Sequence, residues 1–330
     1  MKPSINSLTA KSKFFCITGA VILVALGCVS LFVGKYPLSI RKLLSGDAMQ
    51  WRVFLTLRCG RTAVGILGGA ALAVAGFVYQ TVFRNPLASP DIIGVASGAS
   101  AGAAFGILFL SGTAAVTLSA FSGSLAAVVL VLALSGLDKS GRSRTIVLAG
   151  IAVHALAQTV LIGLKLTADP ERELASIEYW IMGSLNGISL YAIQGNLLLI
   201  VIGILALLLL HRQILLLSAE EGEAKMLGVN VPQLRLAVLL TATLVVAAVV
   251  SMTGIISFLG LLAPHAARLL TGQNRLRTML LSGVLGGILL CGADILARSV
   301  AATELPVSIF TSLLGAPFLI FLVVKGRKAV

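Results

Sequence analysis

The feature that most restricts the fold of this chain is a series of ten apolar runs, each about as long as a membrane-spanning helix. A helix that crosses a bilayer needs about 20 apolar residues. Short polar stretches separate the runs and leave too few residues for another folded domain. Residues 1–330 are therefore predicted to form one all-α, polytopic membrane domain, with spans near 14–34, 61–80, 91–110, 113–135, 145–166, 189–210, 234–253, 255–270, 278–297 and 308–324.

The composition excludes several classes of protein. Hydrophobic residues make up 58% of the 330 residues and charged residues 11%, whereas soluble domains contain roughly 45–50% and about 25%. These values exclude a soluble enzyme and a disordered chain, and the long apolar runs exclude an outer-membrane barrel. The net charge of +13 is spread over loops on both faces, which argues against nucleic-acid binding.

Residue patterns typical of catalysis or metal binding are absent from the sequence. It has no glycine-rich phosphate loop ending in Lys-Ser or Lys-Thr, no nucleophile elbow and no zinc-binding pair of histidines. The four cysteines show no paired metal spacing. We therefore predict no catalytic residue, no metal site and no cofactor.

The basic residues predict an orientation. A cytoplasmic N-terminus puts most of the 25 Lys and Arg on the cytoplasmic side of a ten-span chain, as the positive-inside rule requires. The C-terminus is then also cytoplasmic. The first outer loop is the exception, because it contains one acid, Asp47, and six basic residues: Lys35, Arg41, Lys42, Arg52, Arg58 and Arg61. It is either a tolerated short loop or a docking surface for an acidic partner.

A tight turn is predicted between spans 2 and 3. Asn85, Pro86 and Pro90 are turn residues, and Pro90 suits the first position of the helix that follows Ser89. Along that helix, glycines recur every four residues from Gly94 to Gly106. Such a stripe allows another helix to approach closely; the alternative is a flexible gate.

The longest polar stretch on the cytoplasmic side is residues 218–232. Ser218 and Glu221 have capping-box spacing, and Gly228 is suited to end a helix. Asn230 and Pro232 can begin the next helix. The pattern predicts a short cytoplasmic helix, which is either a plain connector or an element gripped by a cytoplasmic partner.

Ionisable residues within the spans are few. His154 is the one placed near the middle of the membrane, and it is a candidate pathway residue or a histidine without a functional role. Asp294 and Arg298 lie four positions apart and can pair on one helix face.

Motifs along nearly the whole chain resemble the FecCD-type permease subunits of type II ABC importers for iron-siderophore, haem and cobalamin uptake. The matching stretches are GAALAVAG at 69–76, RNPLASPDIIG at 84–94, YWIMGSL at 179–185, AKMLGVNV at 224–231, ISFLGLLAPH at 256–265, ADILAR at 293–298, ELP at 304–306 and LGAP at 314–317. One departure is Arg58-Cys59-Gly60-Arg61, where the family usually has Arg-Leu-Pro-Arg. Another is Ser308, where the family favours glycine.

The resemblance implies ten spans and the type II importer permease fold, in the inner membrane of a bacterium. It implies a second permease subunit, two cytoplasmic ATPase subunits that hydrolyse the ATP, and an extracytoplasmic binding protein. Docking of that protein would involve Arg58, Arg61 and Arg298. Coupling to the ATPases would involve the 218–232 loop, through Glu221, Ala224, Leu227 and Gly228.

The expected function is ATP-driven import of an iron complex, with ferric siderophore as the first choice of cargo. Haem and cobalamin are the alternatives within the family. An ion-coupled secondary transporter is a further alternative, but it would need more titratable groups near the membrane midplane than His154.

Overall fold

The computed structural model describes residues 5–136, 143–218, 230–272, 274–301 and 303–327. Regular secondary structure in these ranges is entirely helical, which confirms the predicted all-α class. The helices are α1 Ile5–Phe32, α2 Ile40–Leu44, α3 Ala48–Val82, α4 Val95–Phe109, α5 Thr113–Gly136, α6 Ser143–Thr167, α7 Glu173–Ile181, α8 Leu190–Leu209, α9 His211–Leu216, α10 Val231–Thr253, α11 Leu259–Thr271, α12 Leu276–Ser299 and α13 Val307–Arg327.

Within the described ranges, six helices are long and apolar enough to cross a membrane: Lys11–Phe32, Ala48–Val82, Thr113–Ser135, Thr145–Thr167, Val231–Thr253 and Leu276–Ser299. The apolar helices Val95–Phe109, Ile193–Leu209 and Val307–Phe321 are shorter. Together with α11, these helices follow the ten predicted runs in order. Three predicted spans differ from the observed helices. The helix of the span near 61–80 already begins at Ala48. A 3₁₀ helix, Pro90–Ile93, precedes the α-helix of the span near 91–110, and non-helical backbone occupies the start of the span near 255–270.

Helix α3 lies at the centre of the bundle and packs against α10, α11 and α12. It is a continuous helix of 35 residues, with π-helical segments at Phe54–Cys59 and Val64–Gly68. Glycines make its contacts close: a Cβ on Gly69 would overlap the carbonyl of Gly286 in α12, and one on Gly76 would overlap the carbonyl of Gly260 in α11. The backbones of these helices therefore meet directly.

The glycine stripe of α4 packs against α5, as predicted. A Cβ on Gly98 would overlap the Gly123 carbonyl, and a Cβ on Gly102 would overlap the Ser119 carbonyl. Because nothing larger than hydrogen fits at Gly98 and Gly102, this part of the stripe is a packing surface between α4 and α5.

Three breaks in the helices meet at one place. Gly183 and Gly254 both have positive φ, at 71° and 70°. The Ser184 amide donates to the Thr253 carbonyl at 2.7 Å. The Ser308 hydroxyl donates to the Ile255 carbonyl at 2.6 Å. This chain therefore uses the hydroxyl of Ser308, which a glycine there would lack, to satisfy a carbonyl in the break between α10 and α11.

Candidate functional site

At one end of the bundle, three arginines and two acids form a buried group that we call the arginine cluster: Arg58, Arg61, Asp294, Arg298 and Glu304. Nε and Nη2 of Arg61 both lie 2.8 Å from Oδ1 of Asp294. Its Nη1 lies 2.8 Å from Oε2 of Glu304. The second carboxylate oxygen of Asp294 lies 3.0 Å from Nη2 of Arg298. Arg61 thus pairs with two acids: the more buried Asp294 on α12 and the more exposed Glu304 on the loop before α13.

The cluster also closes the C-terminal end of α1. Arg58 donates to the carbonyls of Val33 and Tyr36, the latter at 2.9 Å. Arg298 donates to the Val33 carbonyl at 2.8 Å and to the Ser30 hydroxyl at 2.6 Å. The last carbonyls of a helix have no partners within the helix and carry partial negative charge. Two guanidinium groups therefore bind α1 to α3 and α12.

Gly34 makes room for Arg58. Its φ is +150°, and a Cβ there would overlap the Arg58 guanidinium group. A side chain at this position would push Arg58 away from both of its carbonyl partners. No sequence pattern indicates this role, because the spacing of glycines does not reveal which distant side chain comes close.

The Arg58-Cys59-Gly60-Arg61 departure has a structural explanation. All four residues lie within continuous α3, and Gly60, at the place of the usual proline, has helical φ and ψ of −60° and −48°. A Cβ on Gly60 would lie 2.8 Å from the amide nitrogen of Leu190 at the start of α8. The glycine therefore allows α8 to approach the arginine cluster.

The predicted docking residues Arg58, Arg61 and Arg298 are brought together, but inside the protein. The Arg298 side chain is 0% exposed, and Glu304 is the most accessible member of the ion pairs at 17%. Pairing of Asp294 with Arg298 on one helix face is confirmed. Docking by these arginines stays a prediction, and any partner must compete with the contacts that they make within the chain.

The turn between α3 and α4 is tight, as predicted. The Asn85 side chain accepts from the Leu87 amide at 2.9 Å, and the Asn85 carbonyl accepts from the Ala88 amide at 3.1 Å. A 3₁₀ helix begins at Pro90 and runs to Ile93. Gly94 then has φ +77°, so α4 begins at Val95 and not at the predicted position near 91.

The other predicted residues lie apart from the arginine cluster. His154 is exposed on α6 of the isolated subunit, beside Ile151 and Leu156, which are exposed as well. The coupling residues Glu221, Ala224, Leu227 and Gly228 fall outside the described residues. Asn230, just beyond them, accepts a hydrogen bond from the Gln233 amide at 3.4 Å and begins α10, as predicted.

A cavity of about 250 Å³ lies beside the non-helical segment between α10 and α11. Ser89 and Pro90 of the preceding turn, Leu72 of α3, and Ser257 and Phe258 contribute to its walls. Backbone that is not helical is tolerated at membrane depth where it lines such a space or is buried in protein. Within the described ranges, no group of His, Cys, Asp and Glu is arranged to hold a metal ion.

Comparison with known proteins agrees with this architecture. The sequence pattern of the FecCD transport family matches residues 22–325. The chain belongs to the FecCD transport family. It is 39% identical over 268 residues to the cobalamin import system permease protein BtuC of Halobacterium salinarum, covering 81% of this chain and 72% of that protein. It is 36% identical over 319 residues to the hemin transport system permease protein HmuU of Yersinia pestis, covering 93% and 94%.

A solved structure shares the fold of this FecCD permease. It is an inward-facing metal-chelate type ABC transporter, which matches with a TM-score of 0.85 and 32% identity over 94% of this chain and 98% of the other. The protein is thus a multi-pass ABC importer permease with the type II importer fold. The two named relatives carry different cargoes, so family membership leaves the substrate open.

Proposed function

We propose that this permease forms the membrane pathway of a bacterial inner-membrane importer for a ferric siderophore. The observation that carries the choice of a ferric chelate is a further relative, the Fe(3+) dicitrate transport system permease protein FecD of Escherichia coli. The structural match to a metal-chelate type transporter supports a metal complex as cargo, a class that also includes haem and cobalamin. A binding protein delivers the complex, two ATPase subunits supply the energy, and a second permease subunit completes the pathway. Haem and cobalamin are the competing cargoes, and the HmuU and BtuC relatives support each of them respectively.

The cargo is tested with the whole assembly in vesicles that contain ATP. Uptake of a ⁵⁵Fe-labelled hydroxamate or catecholate siderophore, haem and labelled cobalamin is compared, each with the cognate binding protein. We expect accumulation of the ferric siderophore. Uptake of haem or cobalamin without uptake of the siderophore would overturn the cargo assignment and leave the importer class intact.

The arginine cluster is the proposed docking end for the binding protein. Its support is the position of Glu304, the more exposed of the two acids that hold Arg61. A carboxylate of the binding protein can replace Glu304 on Nη1 of Arg61 while Asp294 keeps the other edge in place. Arginine is suited to such a shared role because its nitrogens donate in several fixed directions.

Stopped-flow association with the binding protein tests this exchange. Glu304→Gln should speed association at low salt because Arg61 loses its competing acid, and Arg61→Gln should slow it. The effects should shrink at high salt, since charge steering is screened. Arg172→Gln, an exposed arginine on another segment, is the control. Rates unchanged by both cluster variants at low salt would refute docking at this site.

We propose that the 218–232 loop is the coupling element for the ATPases, with Glu221, Ala224, Leu227 and Gly228 at the contact. We also propose that α6 faces the pathway or the second permease subunit. His154 supports this orientation, because an exposed imidazole in the middle of a span is costly against lipid and acceptable against water or protein.

A further inference from the structure

A second surface on this chain suggests a binding partner other than the cargo and the protein subunits of the transporter. Residues 35–52, which we call the rim segment, follow the end of α1, include α2 and extend through the first turn of α3. Because α1 and α3 are both long enough to cross the membrane, the segment must lie at a membrane surface. Several large apolar side chains of this segment are nevertheless exposed: Leu44 at 84%, Ile40 at 60%, Met49 at 59% and Trp51 at 42%.

The rim segment is folded and not a loose connector. The Trp51 indole donates to the Leu43 carbonyl at 2.8 Å, and its ring packs edge-on against Phe54 at 5.8 Å. The Gln50 side chain accepts from the Ser39 amide at 3.1 Å. The exposed apolar residues are therefore held outward by a defined structure. Ile40 and Leu44, four positions apart, share one face of α2.

Positive charge accompanies this apolar face. Arg41, Lys42 and Arg52 are exposed, as is Lys35. The one acid of the segment, Asp47, is occupied as the N-cap of α3, where its carboxylate accepts from the Met49 and Gln50 amides at 3.0 and 3.1 Å. The one carboxylate of the segment is thus bound to the segment's own backbone. Its cationic side chains are exposed.

We infer that the rim segment is an interfacial anchor that binds anionic phospholipid headgroups at the leaflet where α1 ends. Apolar side chains beside Lys and Arg, with a tryptophan at headgroup level, are the composition that lies in a membrane interface. Guanidinium and ammonium groups pair with lipid phosphates. Water alone would leave Leu44 and Ile40 without apolar contact. This inference does not depend on the cargo or on the docking of a binding protein.

Fluorescence quenching by brominated lipids tests the inference on the full-length permease. The chain has two tryptophans, so Trp180→Phe leaves Trp51 as the reporter. The protein is reconstituted with brominated phosphatidylglycerol or brominated phosphatidylcholine at equal mole fraction. We expect strong quenching of Trp51, with the anionic lipid preferred about threefold or more. The difference between wild type and Trp51→Phe measures the same signal without altering Trp180.

Charge removal identifies the source of the preference. The triple variant Arg41→Gln, Lys42→Gln, Arg52→Gln, which keeps only Lys35 of the four cations, should lose most of the preference for the anionic lipid, whereas Arg172→Gln should keep it. Trp51 that neither lipid quenches would overturn the inference and indicate that the segment faces water or a protein partner. Equal quenching by the two lipids with the native charges present would overturn it as well.

Discussion

Arg61 of α3 and Asp294 of α12 lie 233 positions apart in the chain, yet two nitrogens of the arginine lie 2.8 Å from one oxygen of the carboxylate. The pair joins the central helix of the bundle to its neighbour at the end where α1 also terminates. Since Asp294 also contacts Arg298, it holds two buried cations at once. Asp294 is therefore the residue on which the arginine cluster most depends.

Asp294→Asn should destabilise the permease. The substitution leaves Arg61 and Arg298 close together without their shared counter-charge, and breaking a buried ion pair in this way costs about 3–5 kcal/mol. Thermal unfolding of the purified protein in detergent should show a clearly lower Tm. Glu304→Gln is the control and should have a smaller effect, because Glu304 is more exposed and Arg61 keeps Asp294. Equal Tm values for Asp294→Asn and wild type would contradict the assigned role.

Gly34→Ala should displace the Arg58 side chain from its position beside α1. The new methyl group overlaps the guanidinium group, so Arg58 must leave the carbonyls of Val33 and Tyr36, at a cost of about 1–3 kcal/mol. Gly46→Ala is a matched control: Gly46 also has positive φ, at 82°, but nothing lies within 4 Å of the added Cβ. The same substitution in an Arg58→Ala background should cost less. If Gly34→Ala lowers stability equally in the Arg58→Ala background, the glycine is required only for its positive backbone φ and not to make room for Arg58.

Pro86→Ala and Pro90→Ala should lower the yield of folded protein more than they alter the choice of cargo. Both residues belong to the turn that joins α3 to α4, and losing a fixed proline φ raises the entropy of the unfolded chain by an amount worth about 0.4–1 kcal/mol. Detergent-extractable yield and the uptake of competing cargoes are measured side by side. A changed cargo preference at normal yield would identify the turn as part of the substrate pathway.

Gly228→Val should uncouple transport from ATP hydrolysis. Gly228 is predicted to end the coupling helix in a left-handed conformation that valine adopts poorly. The ratio of transported cargo to hydrolysed ATP in the assembled complex is the readout, and unchanged thermal unfolding of the permease is the control. A wild-type ratio would remove the 218–232 loop from the coupling mechanism.

The helices and the pair on α12 were predictable because they depend on local periodicity. Runs of about 20 apolar residues indicate spans, and the spacing of Asp294 and Arg298 places both on one helix face. The start of α10 at Asn230 was predictable as well, because an N-cap depends only on residues within one turn of the helix. The glycine stripe of α4 likewise indicated a packing surface, although the sequence did not name α5 as its partner.

The burial of the arginine cluster could not be predicted in the same way. The sequence predicts that Arg58 and Arg61 belong to a basic outer loop, whereas the structure places both within α3. Glu304, the more exposed of the two acids that pair with Arg61, lies 243 positions later in the chain, so its contact with Arg61 is not visible in the local pattern. Pattern analysis counts charges along the chain but does not show which of them meet after folding. The late start of α4 was missed for a local reason: Gly94 adopts a positive φ that ends the 3₁₀ turn.

The central proposal is that ATP hydrolysis in partner subunits, and not an ion gradient, drives cargo through this permease. The most direct measurement compares uptake by vesicles containing the permease alone with uptake by vesicles containing the permease, its ATPase subunits and the binding protein. We predict accumulation only in the complete vesicles, only with ATP inside, and unaffected by collapse of proton and sodium gradients. Accumulation by the permease alone under a proton or sodium gradient, without ATPase or ATP, would contradict the proposal.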